Sequence, residues 1–409
     1  MKRRRFVLGC AAAGLTAGGV AAWKFWPEQG FSNPCKIPLP QHLAQHPLVQ
    51  SAWESVDATK VWDSHAHLVG IGDSDSGIWL NPAMHSTTHP MQYAQRIFFM
   101  NAGCARDEPG KTDQSVVERL RNLIAGLRPG VKLVLLAFDH CYNEQGERLL
   151  EKSAFHIPND YAMRIAKTYP SYFEWAASIH PYRQDSVDAL AHATKNGARA
   201  VKWLPPAHGI NPASELCDRF YAAMVKYNLP LITHAGQERA VHGANQQAWA
   251  NPLLLRRALD HGVRVIVAHC ASMGESHDLD QGKNGALVRN FDLFARMMAE
   301  QRYEGKLFGE ISAMTQFNRA MWIPSLIEHQ EWHHRLLNGS DYPLPGVMPL
   351  FSVSYYAQQG LIAADTVPVL KEIREYNPLL FDFVLKRQLR WKEKQLAKNI
   401  FETKTFFLN

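Results

Sequence analysis

Val61-Trp62-Asp63-Ser64-His65-Ala66-His67 is a short run with an apolar start and two histidines near its end. On a β-strand, side chains two residues apart point the same way, so His65 and His67 occupy one face and are able to share one ion. The pattern recurs. Seven further β-prone runs, at residues 132–139, 173–180, 198–204, 229–234, 263–269, 306–312 and 335–341, carry or precede a chemically active side chain. Those side chains are His140, His180, Lys202, His234, His269, Glu310 and Asp341. Helical patterns fall between the runs, at residues 161–169, 187–196, 216–228, 252–261, 291–303 and 324–334. Several close at glycine, as in Asn196-Gly197, His261-Gly262 and Glu304-Gly305, which is the stop an αβ turn uses. Eight strands alternating with helices predict an α/β fold with a closed parallel barrel. In such a barrel all the C-terminal strand ends meet on one face, where barrel enzymes place their chemistry.

Composition narrows the alternatives. The 409 residues are 46% hydrophobic, 20% charged and 11% aromatic, with 26 Gly and 23 Pro, which excludes disordered, collagenous and coiled-coil chains. The formal charge of +6 is concentrated in Lys2, Arg3, Arg4 and Arg5, which leaves +2 for the rest. A near-neutral body without a second basic run predicts no nucleic-acid partner. The six cysteines contain no Cys-x-x-Cys pair, so no disulfide framework is legible; one bridge is possible in an oxidising compartment, and buried thiols are the expectation.

Arg3-Arg4-Arg5-Phe6 followed by an Ala/Gly-rich apolar stretch to Ala22 is a twin-arginine pattern. It predicts recognition by the twin-arginine export machinery and a periplasmic protein, or one anchored to the membrane by an uncleaved signal. The expected organisation is a signal or anchor at residues 1–26, a proline-rich linker at 27–48, and a barrel with extra C-terminal helices over 49–409. The extra helices are expected at residues 370–376 and 378–394.

His65, His67, His234 and His269 at strand ends form a set suited to a transition metal, because neutral imidazole is a common ligand for zinc and similar ions. Asp341 adds the anion that such a site needs and a base to take a proton from water. His180, Arg183 and Glu310 are candidates for substrate contact. The long segment 69–92 carries Trp79, His85 and His89 and is expected to form a lid or pocket wall, with Trp79 facing substrate.

These residues resemble the amidohydrolase superfamily, metal-dependent hydrolases built on a distorted (β/α)8 TIM-like barrel. The likeness covers residues 61–345 and rests on His65-x-His67, Lys202, His234, His269 and Asp341, with Val201-Lys202-Trp203-Leu204-Pro205 and Gly339-Ser340-Asp341-Tyr342-Pro343 closest to the branch that also holds decarboxylases, hydratases and lactonases. It implies a divalent metal, zinc foremost, as one or two ions. With two, Lys202 is carboxylated and bridges them. With one, Lys202 stays an ammonium that pairs with a substrate carboxylate, while His65, His67, His234 and Asp341 hold the ion and His269 assists catalysis. The implied function is hydrolysis of a small organic ester, lactone or amide, with a one-metal nonoxidative decarboxylase or hydratase as the alternative and a binding protein with a structural metal as the non-enzymatic one. Asp341 and His269 are the implied catalytic residues. The implied partner is a small-molecule substrate, and a homo-oligomer is compatible with the sequence.

Overall fold

The computed structural model describes residues 27–106 and 108–408, so the twin-arginine stretch lies outside the described residues. Eight parallel strands form the barrel: β1 (Trp62–His67), β2 (Lys132–Leu136), β3 (Phe173–Ala176), β4 (Val201–Trp203), β5 (Leu231–His234), β6 (Val265–Ala268), β7 (Leu307–Glu310) and β8 (Leu336–Leu337). Strands β1 to β3 make one hydrogen-bonded sheet and β4 to β8 a second. Single parallel bridges, Ala177 to Val201 and Ala66 to Tyr342, join the two and close the ring. Each strand falls inside its expected run and is shorter than it at one end or both: β4 and β5 begin three and two residues into their runs, while β2, β3, β7 and β8 stop short at their C-terminal ends, where the chain turns out of the ladder towards the rim.

Side-chain alternation explains what the barrel holds. Trp62, Val134, Ala176, Ala200, Ile232, Ile266 and Leu337 form the apolar interior, and Phe407 from the C-terminal helix Lys404–Leu408 packs into it. Two residues further along, the inward positions turn polar: Lys202 follows Ala200, His234 follows Ile232 and Glu310 follows Phe308. Burial of the lower layer thus carries the upper one, since the same strand period fixes both.

The helices follow the expected pattern at Asn159–Thr168, Ser186–Lys195, Asp218–Lys226, Arg256–Asp260, Asn290–Ala299 and Ile323–Glu328. Val367–Tyr376 and Pro378–Gln388 are the extra C-terminal pair, and the second is buried along nearly its whole length. Residues 27–48 do more than link. Leu43 is buried in the core, the Lys36 N–H donates to Glu375 O, and Cys35 is disulfide-bonded to Cys104. The bridge corrects the expectation of buried thiols for these two cysteines and is the single bridge that an oxidising compartment would allow. Its two ends are 69 residues apart, and the fold brings them together where the sequence spacing gave no sign of it. Cys141, Cys217 and Cys270 are free and buried, as expected.

Candidate metal centre

Strand β1 is irregular just where its histidines begin. Asp63 pairs with Leu133 and Ala66 with Leu135, so two residues of β1, Ser64 and His65, stand against one of β2. A bulge of this kind re-aims the side chains that follow it. Asp63 fixes the turn by accepting from the backbone N–H of His65 at 3.0 Å and of Ser340 at 2.8 Å, which ties the end of β1 to the loop after β8. Gly339 completes the junction. A Cβ there would collide with Glu310 Oε1 and the Cβ of His65, so the close approach requires glycine.

His65 Nε2 and His67 Nε2 are 3.1 Å apart, and Asp341 Oδ1 lies 3.4 Å from the first and 3.3 Å from the second. Bonds of about 2.0–2.2 Å at tetrahedral angles around one ion put neighbouring ligand atoms roughly 3.3–3.5 Å apart. The three atoms fit a divalent transition metal. His269 completes the face, with Nε2 3.6 Å from Asp341 Oδ2 and its ring stacked on His65 at 5.3 Å. Burial, above all, holds His65 and His269 far below the usual imidazole range, and the neutral ring is the form that binds metal. Burial would raise the Asp341 carboxyl, but His65, His269 and His67 hold it well below the carboxylate range.

Both key corners are held in left-handed backbone, with φ of 59° at Asp341 and 56° at His269. Side-chain-bearing residues rarely adopt it, and they cluster at functional sites where surrounding structure enforces the strain.

Glu310 was expected to touch substrate, and the structure gives it another post. It is fully buried, Oε1 accepts from Ser64 Oγ at 2.7 Å and Oε2 lies 2.8 Å from His65 Nδ1. Its oxygens are spent behind the ligand ring. Ser312 does the same for His269, with Oγ 2.8 Å from Nδ1. His65, His269 and Glu310 therefore form a second cluster of metal-competent atoms, but it is already knit by these hydrogen bonds.

Lys202 is buried with Nζ 2.9 Å from His65 Nε2, and burial pushes its ammonium down to about 8. His234 is buried beside His269, ring centres 5.5 Å apart, but is not brought into the ligand group. The turn at Gly236 places a carbonyl 3.1 Å from His234 Nε2, and Glu238 Oε2 stands 3.4 Å away.

The remaining expected substrate contacts line the rim above β2 and β3. His180 has Nε2 3.1 Å from His208 O, and its Nδ1 accepts from the Tyr182 N–H at 3.3 Å, which leaves both nitrogens engaged by backbone. Arg183 donates to Asp139 and, through Nε and Nη2, to Asp185. Trp79 pairs with His156 across a small antiparallel ladder and sits 5.4 Å from His140. The segment around it is braced by Asp113, which accepts from the N–H groups of Ile71 and Gly72 and from Ser76 Oγ.

Several residues around this centre escape a sequence reading: Asp63, Ser312 and Glu238. None ends an apolar run except Ser312, and its hydroxyl carries no distinctive signal.

Residues 62–349 match the sequence profile of a family described as Amidohydrolase. No curated protein matches the chain. Among solved structures it is similar to a TIM-barrel protein of Bordetella bronchiseptica, 15% identical, with 73% of this chain and 90% of that one covered at a TM-score of 0.46. A 5-carboxyvanillate decarboxylase of Novosphingobium aromaticivorans with bound manganese is 12% identical, over 85% of this chain and 97% of that one, TM-score 0.48. A 2-pyrone-4,6-dicarboxylic acid hydrolase of Pseudomonas putida, itself a tentative assignment, is 16% identical over 79% and 97%, TM-score 0.43.

Proposed function

The chain belongs to the amidohydrolase family, and on that premise we propose that it is a metal-dependent hydrolase acting on a small organic ester, lactone, amide or related substrate. The observation that carries this reading is the convergence of His65 Nε2, His67 Nε2 and Asp341 Oδ1 at one rim. We propose zinc as the ion, held by these three atoms. When bound, a divalent ion supplies Lewis acidity towards a carbonyl or phosphoryl oxygen and acidifies water. The residues do the rest. Glu310 holds His65 so that Nε2 faces the site. Asp341 turns Oδ1 to the two histidines and Oδ2 to His269, a placement suited to taking a proton from water and returning it to the leaving group. His269, neutral and hydrogen-bonded to Ser312, stands by as the second proton carrier.

A second reading, a nonoxidative decarboxylase or hydratase with one ion, is favoured by the donor set itself. Lys202 Nζ occupies the space beside His65 Nε2, and His234 Nε2 is turned to Gly236 O, which supports one ion and an ammonium over two ions and a carboxylated lysine. Metal content of the purified protein decides the count. A zinc- or manganese-reconstituted screen against lactones, esters, amides, phosphoesters and aromatic carboxylates, with product analysis, decides the reaction. His67→Ala must be inactive in it. Activity that survives exhaustive chelation ends the metal reading.

We propose further that the protein is exported to the periplasm, either released or anchored there. The Arg3-Arg4 pattern supports this, and so does the Cys35–Cys104 disulfide, since such bonds persist in oxidising compartments. Changing Arg3 and Arg4 to Lys should leave the protein in the cytoplasm on fractionation; unchanged export would refute the signal.

A further inference from the structure

Arg319 lies in the turn after β7 and is 7% exposed. Other buried guanidinium groups find carbonyls or a carboxylate even where a nitrogen goes unpartnered: Arg374 donates to the carbonyls of Pro345, Val347 and Met348, Arg119 to those of Lys36 and Tyr376, and Arg335 to Met298 O with Glu304 3.3 Å away. Arg319 differs. Among the described residues its guanidinium makes one hydrogen bond, from Nη1 to Ser272 Oγ at 2.8 Å, while Nε is buried without a partner. No carboxylate lies within ion-pair distance of it among the described residues, although its charge is felt at His234, His269, Asp341 and Glu238. Burial pushes it down to about 10, against the pull of Asp341 and Glu238. One turn earlier, Gln316 Nε2 is a second buried donor with no acceptor.

A buried cation with unspent donors is costly unless something supplies the anion. The contact with Ser272 uses Nη1, which leaves the Nε and Nη2 edge. That edge is the planar fork that grips a carboxylate through two parallel bonds. Ser272 itself follows His269 by one turn, its N–H donating to His269 O, so the fork is anchored beside the proposed proton carrier.

We propose that the Nε and Nη2 edge of Arg319 is the receptor for a carboxylate carried by the substrate, so that the enzyme acts on an organic acid bearing its reactive bond near that carboxylate. This rests on the metal-centre reading above for the reaction, though not for the anion site. The neutral isostere of such a substrate leaves the guanidinium uncompensated, which makes charge the basis of selection.

The test uses the full-length protein with manganese bound, benzoate and benzamide as probes, and inorganic phosphate as the competing anion, followed by calorimetric titration. Wild type should bind benzoate about tenfold or more tighter than benzamide. Arg319→Met should abolish that preference, and Arg319→Lys, which keeps the charge without the fork, should restore only part of it. Manganese affinity should be the same in all three proteins. Arg319→Met should also melt no lower than wild type, because an uncompensated buried charge has been removed, whereas a purely structural arginine would lower the melting temperature. Equal binding of benzoate and benzamide by wild type, or a preference retained in Arg319→Met, overturns the proposal. Phosphate that outcompetes benzoate through Arg319 overturns the carboxylate assignment. Loss of manganese binding in wild type would sink the metal centre instead, while benzoate selectivity that depends on Arg319 would still stand.

Discussion

Glu310 Oε2 lies 2.8 Å from His65 Nδ1, and this contact determines which nitrogen of the ring is left for an ion. An ionised carboxylate only accepts, so Nδ1 carries the proton and Nε2 presents its lone pair to the rim. Burial pushes the Glu310 carboxyl up to about 7 against the opposing charge of Lys202, so the contact is strongest above neutrality. Glu310→Gln keeps the shape and loses the charge. Removal of such a supporting group costs about 10–100-fold in metal affinity. Zinc titration against a competing chelator should show that loss, with a parallel fall in turnover at limiting zinc. Unchanged affinity would mean that His65 is oriented by its other neighbours alone.

The rim above β2 makes a separate prediction about acid stability. Burial would raise the Asp139 carboxyl, but Arg183 and the His180 N–H outweigh it and hold it below the usual range. A folded value below the unfolded one gives stability that is complete above the unfolded value of about 4 and is lost as pH falls through the folded value. Asp139→Asn should therefore cost about 1–3 kcal/mol at pH 7. Urea denaturation at neutral pH and again below about pH 4 should show the gap to wild type narrowing at the lower pH. A gap of the same size at both pH values would assign the effect to packing and not to charge.

The barrel was legible because a strand's period is short and local: Leu231-Ile232-Thr233-His234 announces both its strand and the direction of its histidine. The core of the site was legible for the same reason, since His65, His67 and Asp341 each follow a β-prone run. What lay hidden depends on contacts between distant segments. The left-handed backbone at His269 is set by packing after β6, and no local pattern marks it. Glu310 and Lys202 are legible as active side chains on their strands, yet their posts, behind the ring of His65 and against its Nε2, follow from where β1 sits across the barrel. The turn of His234 towards Gly236 O is likewise a property of one loop and not of strand β5.

The disulfide offers a test of how the N-terminal segment contributes. Cys35 and Cys104 close a separation of 69 residues, joining residues that precede the barrel to the end of helix Pro90–Ala102. Removing a bridge of that kind costs about 2–4 kcal/mol, chiefly through the freedom restored to the unfolded chain. Cys35→Ser with Cys104→Ser should lower the melting temperature, and a reductant should lower that of wild type to the same value. Equal melting of wild type with and without reductant would show that the bond is not formed in solution.

Lys386, on the C-terminal helix Pro378–Gln388, reaches under the metal centre. Its Nζ donates to Gly339 O at 2.7 Å and to Asp382 Oδ2 at 2.6 Å, and it is almost fully buried. Gly339 stands two residues before Asp341, so the ammonium pins the carbonyl on which the aspartate's loop hangs. Burial raises Asp63 and Asp382 to about 6, and in both cases Lys386 opposes the rise. Lys386→Met leaves Asp382 buried and unpaired, a loss of about 3–5 kcal/mol. Adding Asp382→Leu removes the stranded charge and should recover much of the stability, because a buried pair replaced on both sides is often close to neutral. Catalysis should separate the two variants from wild type differently. The double variant, though stable, should remain impaired in turnover because Gly339 O is still unpinned and Asp341 is free to shift. Full activity in a stable double variant would show that the C-terminal helix supports the fold without positioning the site.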